Sequence, residues 1–271
     1  MTALTVCSVV AALLYLMAGL VIVRSMKGPN AHAPVWVRWP VGAALLIHAF
    51  VLHDGMFRNG MTLFGFGYAL SEMFFFAVVI LLVETWIHRL HGQFGIVLLG
   101  AVVGVLSTII FPGQVIESAE WTPIFRWHLF MAIAAYAFML IAFVHGILMT
   151  IQNRRLKCPT PEVKSTGFLD SLPGLVVMER IFFRIVAVGF LCMTLTLFLG
   201  ALATHEAYGV YFWLDHKTVL TWIAWGLFCV LLGGRYFAGW RAKTALNWFW
   251  AGCTVFAVAY FGYSFVIELM A

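Results

Sequence analysis

The sequence predicts an all-α fold, a polytopic membrane helix bundle of about eight transmembrane helices. Of its 271 residues, 63% are hydrophobic and 10% are charged, which leaves more apolar surface than a compact soluble fold can remove from water. Apolar runs long enough to cross a bilayer recur along the chain, and basic residues collect in alternate turns between them. We therefore assign the net charge of +5 to one membrane face. The expected partner is membrane lipid, and no nucleic-acid partner is expected.

Windows of about 20 apolar residues mark the spans, because a helix of that length crosses the hydrocarbon core. The eight predicted spans are residues 3–23, 40–57, 64–87, 94–112, 127–151, 180–204, 217–236 and 245–268. The last two form a helical hairpin that follows an aromatic loop at residues 208–215. We expect any binding site to lie near this loop.

The distribution of basic residues predicts the orientation of the bundle. Thirteen Lys and Arg residues lie in the turns after spans one, three, five and seven, and three lie in the opposite turns. Because basic turns stay on the cytoplasmic side, both termini and the aromatic loop are predicted to face outside. In a bacterial inner membrane, this side is the periplasm.

The polar segment 152–179 divides the chain. It contains Pro159, Pro161 and the pair Pro173-Gly174, which together with mixed charge predict a cytoplasmic linker carrying one short interfacial helix at most. The expected organisation is a single integral-membrane domain in two halves. The first half is 1–112, and the second is 113–151 with 180–271.

His128 is the first candidate for chemistry, at the outer start of span five. A neutral imidazole is a good axial ligand for haem iron, and the neighbouring Arg126 could pair with a propionate. The alternative is an interfacial histidine satisfied by lipid headgroups or by a backbone carbonyl. Spacing alone does not decide between them.

Two further histidines, His205 and His216, bracket the aromatic loop on the same predicted face as His128. Three outward histidines around one aromatic loop are able to supply a bis-imidazole iron site. They are equally compatible with ordinary loop positions, because no metal-ligand spacing is visible.

The polar residues His48 and Glu72 lie inside predicted spans, where an unpaired polar group is costly. His48, in span two, is expected to have a partner on another helix, either iron or a residue such as Ser. Glu72, in span three, is expected to be protonated or paired.

The C-terminal stretch FWLDHKTVLTWIAWGLFCVLLGGRYFAGWRAKTALNWFWAGCTVFAVAYFGYSF resembles the C-terminal hairpin of the CcsA/CcmC/HemX cytochrome c assembly family, nearest to its YpjD-like inner-membrane branch. The motifs that carry the resemblance are Asp215-His216-Lys217-Thr218, Gly239-Trp240-Arg241, Ala259-Tyr260-Phe261-Gly262, Trp127-His128 with Ala135-Tyr136-Ala137, Leu46-Ile47-His48-Ala49 and Phe111-Pro112-Gly113. In this order they cover nearly the full chain.

The resemblance implies a haem-handling membrane protein that displays haem against a Trp-rich outer loop. By this resemblance, His128 matches the first outward iron ligand and His48 the first intramembrane histidine. Trp213 and Asp215 match the end of the Trp-rich loop, and Lys217 matches the lysine that follows its aspartate.

The sequence departs from the family pattern at both second histidines. The pair Gly233-Gly234 stands where the second intramembrane histidine falls, and the second outward histidine would fall at or beyond Ala271. Either His205 or His216 replaces the outward ligand, or the fold serves another purpose.

The expected function is therefore haem binding or haem handling at the outer face of an inner membrane, without bond-forming chemistry of its own. The sequence contains no Gly-rich phosphate loop, Ser/His/Asp grouping or pair of catalytic carboxylates, so an enzyme is not expected. One alternative is a non-haem scaffold or regulatory subunit that docks on another membrane protein. A second alternative is a transporter with a pathway through Glu72 and His48.

Overall fold

The computed structural model describes residues 3–26, 32–58, 61–87, 91–116, 122–157 and 168–259. The helices in this part of the chain are α1 (Ala3–Ser25), α2 (Arg38–Met56), α3 (Phe66–Ile87), α4 (His91–Ile110), α5 (Pro123–Lys157), α6 (Leu175–Tyr208), α7 (His216–Ala238) and α8 (Ala242–Ala257). The strands are β1 (Phe57–Arg58), β2 (Met61–Phe64) and β3 (Gln114–Ile116). Short 3₁₀ helices cover Val35–Val37 and Phe168–Ser171.

Helices α1 to α7 are each long and apolar enough to cross a membrane. This confirms the predicted all-α, multi-pass membrane bundle. Helix α8 occupies the first part of the eighth predicted span, and the residues of that span from 260 onward lie outside the described part of the chain. The side of the membrane that each loop faces stays a prediction.

Helices α5 and α6 are longer than the spans predicted for them. They contain 35 and 34 residues, or about 50 Å each at 1.5 Å per residue, against a hydrocarbon core of about 30 Å. The predicted linker is therefore helical at both ends, over 152–157 in α5 and over 175–179 in α6. No glycine or proline interrupts the segment 152–157, and α5 ends two residues before Pro159. Residues 158–167 of the linker lie outside the described residues.

The chain divides into two compact units. The first comprises Met1–Val115 with Ile147–Met178, and the second comprises Ile116–Gly146 with Glu179–Ala271. The predicted division after residue 112 falls near the first of these boundaries. Segment 152–179, predicted as a cytoplasmic linker between the two parts of the second half, lies almost wholly in the first unit.

In the first unit, α1 packs against α4 and α2, and α3 packs against α4. Glycines allow the close approach of α1 and α4. A Cβ atom on Gly19 would lie 2.9 Å from Cδ2 of Leu99, and one on Gly95 would lie 2.9 Å from Cγ2 of Ile22. Small residues at helix contacts are typical of membrane bundles, in which packing rather than the hydrophobic effect holds helices together.

A small sheet in the order β1-β2-β3 was not predicted. Strands β1 and β2 are antiparallel, with Phe57 opposite Thr62 and Arg58 opposite Met61. Strands this short carry too few residues for an alternating pattern to stand out from the adjacent apolar helices.

In the second unit, the buried rings of Phe182, Phe228 and Phe249 form part of the core between α6, α7 and α8. The centroid of Phe249 lies 4.8 Å from that of Phe182 and 6.1 Å from that of Phe228. Helix α7 ends at Gly239, whose φ of 63° is the left-handed conformation that glycine adopts readily. These contacts define the α7–α8 hairpin that the sequence predicted.

Arg235, in the last turn of α7, links three parts of the second unit. Its guanidinium forms an ion pair with Glu179 of α6 and donates a hydrogen bond of 2.8 Å to the carbonyl oxygen of Trp240. It also lies 4.6 Å above the ring centroid of Phe183. The arrangement satisfies the charge of Arg235 at the end of a membrane helix.

Candidate functional site

In the second unit, His128 lies near the start of α5 and contacts α6. Its Nδ1 atom is 2.9 Å from the backbone carbonyl oxygen of Thr196. A carbonyl oxygen only accepts hydrogen bonds, so Nδ1 carries the proton and Nε2 keeps its lone pair. No described residue hydrogen-bonds Nε2. This is the state in which histidines usually ligate metals, one ring nitrogen fixed by a backbone carbonyl and the other available.

Gly200, one helical turn beyond Thr196, makes room for this imidazole. A Cβ atom at position 200 would lie 3.0 Å from both Cε1 and Nδ1 of His128. Almost any side chain on this face of α6 would therefore press against the ring. The ring is thus held by a fixed acceptor on one side and by the absence of a side chain on the other.

The first turn of α5 is fixed by Thr122, whose Oγ1 accepts a hydrogen bond of 3.2 Å from the amide of Phe125. This is an N-cap interaction. The ring of Phe125 stacks on His128 with centroids 6.1 Å apart. Arg126 follows directly and its side chain is exposed, so its guanidinium is free to meet an anionic group.

The last residue of α6 and the loop between α6 and α7 present aromatic rings to the surroundings. Tyr208, Tyr211, Phe212 and Trp213 are all more than half exposed. The ring of His205 stacks on that of Tyr211, with the ring centroids 4.1 Å apart and an angle of 15° between the ring planes. The ring centroids of Tyr208 and Trp213 lie 5.3 Å apart. Exposed rings of this kind offer flat apolar faces to a planar ligand or to the headgroup region of a bilayer.

Asp215 ends the loop and caps α7. Its Oδ1 accepts a hydrogen bond of 2.7 Å from the amide of Thr218. Burial alone would raise the pKa of Asp215. The hydrogen bonds from Thr218 and the positive charges of His216 and Lys217 outweigh it, so the pKa lies below its usual value. The matched aspartate of the predicted motif therefore has a structural role, because it fixes the start of α7.

The structure does not bring His205 or His216 into contact with His128. On α6, His205 lies five residues beyond Gly200, which is about 7.5 Å along the axis and about 140° around it. His216 is the first residue of α7 and is exposed. Neither histidine forms a hydrogen bond or ring contact with His128 in the described part of the chain. The choice between them as a second ligand stays open.

His48 lies in the first unit, fully buried in α2. Its Nδ1 is 3.2 Å from the hydroxyl of Tyr15 on α1, and its Nε2 is 2.7 Å from the hydroxyl of Ser71 on α3. The sequence left iron or a serine as the cross-helix partner, and the structure contains the serine together with a tyrosine. While both bonds persist, His48 has no free lone pair for a metal.

Glu72 follows Ser71 on α3. Its Oε2 atom is buried, and none of the described residues forms a hydrogen bond with it. Among the described residues, no group of three His, Cys, Asp or Glu side chains is arranged to hold a metal ion.

Three residues of these sites were missed by sequence reasoning. Thr196 and Gly200 belong to an apolar run, and Thr196 acts through its backbone, so neither has a sequence signal. Tyr15 is the only tyrosine in α1. A hydroxyl inside a span could have been suspected as a partner for His48.

Comparison with known proteins agrees with the resemblance in the hairpin. The profile of the Cytochrome C assembly protein family matches residues 39–271. Inner membrane protein YpjD of Escherichia coli strain K12 is 28% identical over 228 residues, which cover 84% of this chain and 83% of that protein. Cytochrome c biogenesis protein CcsA of Parasynechococcus marenigrum is 25% identical over 178 residues, or 58% of each chain.

A second CcsA protein, from Trieres chinensis, is 28% identical over 123 residues, which cover 45% of this chain and 38% of the relative. The family profile extends through both units and includes every predicted site residue from His48 to Lys217. The chain belongs to the cytochrome c assembly protein family.

Proposed function

We propose that this chain is an inner-membrane protein that binds and presents haem at the end of its second unit that contains His128 and the aromatic loop. The single observation that carries the proposal is the hydrogen bond from His128 Nδ1 to the carbonyl oxygen of Thr196. It leaves Nε2 with the lone pair that an axial iron ligand requires. Membership of the cytochrome c assembly family and the name of the YpjD relative support the choice of cofactor and membrane.

The described residues fit haem in three respects. His128 Nε2 would ligate the haem iron, and the exposed guanidinium of Arg126 would pair with a propionate. The exposed rings of Tyr208 and Trp213 supply apolar faces against which a porphyrin would stack. When bound, haem supplies an iron centre that takes axial imidazole ligands.

The chain's own residues are proposed to bind and orient haem, and not to catalyse a covalent reaction. The Thr196 carbonyl holds the imidazole in one tautomer, and Asp215 fixes the end of the loop by capping α7. The second axial ligand is proposed to be His205 or His216. The loop is proposed to face the periplasm, as the distribution of basic residues predicts.

The test is a hemin titration of the full chain in mild detergent, followed in the Soret region. Wild-type protein is expected to give a red-shifted, narrowed band, and His128→Ala is expected to lose it. His53→Ala is the matched control, because His53 is an exposed histidine in the first unit. His205→Ala and His216→Ala identify the second ligand by conversion of the bis-imidazole spectrum to a mono-imidazole one.

Wild-type protein that stays spectrally silent with added hemin would refute the proposal, as would a Soret band that His128→Ala leaves unchanged. A titration in which His53→Ala and His128→Ala weaken binding equally would point to nonspecific partition of hemin into the detergent–protein particle.

A second candidate function is a non-haem scaffold or regulatory subunit for another membrane protein. The observation that favours it is the engagement of both ring nitrogens of His48 by Tyr15 and Ser71, which is the arrangement of a structural histidine. This function predicts a membrane protein partner that co-purifies with wild type and with His128→Ala to the same extent. A partner lost in His128→Ala would favour haem binding instead.

A further inference from the structure

The polar residues buried in the first unit differ in whether their side chains have hydrogen-bond partners. Tyr15, His48 and Ser71 form a continuous hydrogen-bonded chain across α1, α2 and α3, and all three are fully buried. Glu72 is the next residue on α3, yet its Oε2 atom is buried with no hydrogen-bond partner among the described residues. One carboxyl oxygen therefore stands unpaired beside a fully paired network.

The position of Glu72 makes an ionised carboxylate costly. It lies six residues into α3, or about 9 Å from the start of the helix, within the apolar span Phe66–Trp86. An ionised carboxylate in such a place needs a cation or several donors, and otherwise it holds a proton.

No described residue of the first unit forms a hydrogen bond with the Oε2 atom of Glu72. The other titratable residues on the described helices of the first unit are Cys7, Tyr15, Arg24, Arg38, His48, His53, Asp54, Tyr68, Glu84, His91, Arg154, Arg155 and Lys157. Tyr15 and His48 are already committed to their own chain, and α4 has no titratable residue after His91.

We propose that Glu72 is a proton-binding site inside the first unit, neutral at neutral pH and able to exchange its proton with water. In the exchange, the carboxylate takes one proton from water to form an O–H bond and returns it to hydroxide at alkaline pH. No other bond changes. The ligand is a proton rather than a metal ion, because a metal needs several donors and the described residues group no three such side chains.

This site is independent of the haem proposal. It lies in the first unit, whereas His128 and the aromatic loop lie in the second. Its test therefore needs no haem, and either proposal is able to fail without the other.

The test is infrared spectroscopy of the full chain in mild detergent. A protonated carboxyl absorbs through its C=O stretch apart from carboxylate and amide bands, and this band shifts in heavy water. The wild-type spectrum minus the Glu72→Gln spectrum at neutral pH is expected to contain one such band. The band is expected to disappear reversibly as the pH is raised.

Glu179→Gln is the matched control, because Glu179 forms an ion pair with Arg235. The wild-type spectrum minus the Glu179→Gln spectrum is expected to show carboxylate bands and no acid band. A Glu72 difference spectrum that shows only carboxylate bands at neutral pH would overturn the proposal, as would an acid band that does not respond to alkaline pH.

A second measurement avoids dependence on a folded variant. Dicyclohexylcarbodiimide reacts with protonated carboxyl groups in apolar surroundings, and peptide mass mapping locates the adduct on wild-type protein. The adduct is expected on Glu72 and not on Glu179, with a yield that falls as the pH rises. An adduct on Glu179 in preference to Glu72 would contradict the assignment.

Discussion

The Nδ1 atom of His128 donates a hydrogen bond of 2.9 Å to the backbone carbonyl oxygen of Thr196. Because the acceptor belongs to the backbone, no substitution at position 196 removes it directly. The ring position is instead sensitive to residue 200, where a Cβ atom would lie 3.0 Å from Cε1 and Nδ1 of the imidazole. Gly200 is therefore the position from which the site is best tested.

We predict that Gly200→Ala weakens hemin binding by about tenfold, which corresponds to about 1.4 kcal/mol and lies within the usual cost of overpacking. The added methyl group must displace the imidazole from the Thr196 carbonyl or α6 from α5. The measurement is the hemin dissociation constant from Soret titration in mild detergent.

The matched control for this substitution is Gly226→Ala on α7, where a Cβ atom would meet nothing within 4 Å. This variant is expected to bind hemin as wild type does. If Gly200→Ala and Gly226→Ala bind hemin equally, the ring of His128 does not set the affinity.

The sequence could predict the helices but not the contacts between them. Spans of about 20 apolar residues are unmistakable in a chain of this composition, and seven of the eight meet the criteria for a membrane span in the described residues. The bond between His128 and Thr196 joins residues 68 positions apart, and no periodicity encodes that pairing. Sequence reasoning treated a backbone partner and iron ligation as alternatives, whereas the structure shows that a bond at Nδ1 leaves Nε2 for a ligand.

Two further features show where sequence reasoning ended. The β1–β2 hairpin is missed because its strands contain two and four residues, although the dipeptide Asn59-Gly60 between them is a common hairpin signal. The partner of His48 was expected on another helix, but choosing Ser71 and Tyr15 required knowledge of how α1, α2 and α3 pack.

We predict that Tyr15→Phe and Ser71→Ala each destabilise the protein by about 1 kcal/mol, which is the usual range for a hydrogen bond between membrane helices. Each substitution leaves one nitrogen of the buried His48 without its partner. The measurement is thermal or denaturant unfolding in mild detergent. A double-mutant cycle of each substitution with His48→Ala is expected to show that neither costs much once the imidazole is gone.

The same variants test whether His48 ligates iron. Hemin spectra of Tyr15→Phe and Ser71→Ala are expected to match wild type, because both ring nitrogens of His48 serve the hydrogen-bonded chain. A new Soret component in either variant would show that freeing a nitrogen of His48 creates an iron site.

We predict opposite effects for the two neighbouring glycines of α7. A Cβ atom on Gly234 would clash with Cε3 of Trp240, whereas one on Gly233 would meet nothing within 4 Å. Gly234→Ala is therefore expected to cost about 1–3 kcal/mol by overpacking. Gly233→Ala is expected to be neutral or to stabilise by up to about 1 kcal/mol through helix propensity.

Unfolding in detergent distinguishes the two glycines. The loss in Gly234→Ala is expected to be smaller in a Trp240→Ala background, because the clashing ring is absent. Equal effects of the two alanines would mean that Trp240 does not cover Gly234 in the membrane protein.

Asp215 gives the protein a pH-dependent contribution to stability. Its pKa is lowered in the folded protein because the Thr218 hydrogen bonds and the charges of His216 and Lys217 outweigh burial. A group with a lowered folded pKa stabilises the fold above its unfolded pKa, about 4 for Asp, and loses that contribution as the pH falls through the folded pKa. Asp215→Ala, which removes the N-cap, is expected to cost about 1 kcal/mol at neutral pH.

Asp215→Asn separates the contribution of the carboxylate charge to stability from that of the N-cap hydrogen bond. Asparagine is also a good N-cap but does not titrate, so this variant is expected to be less stable than wild type at neutral pH by only the charge contribution. That difference is expected to shrink as the pH falls below about 4, where the aspartate of the unfolded chain becomes protonated, and to be lost as the pH falls through the lowered pKa of the folded protein. The measurement is the melting temperature of both proteins as a function of pH. A difference that persists unchanged into strongly acidic solution would show that the carboxylate charge does not stabilise α7.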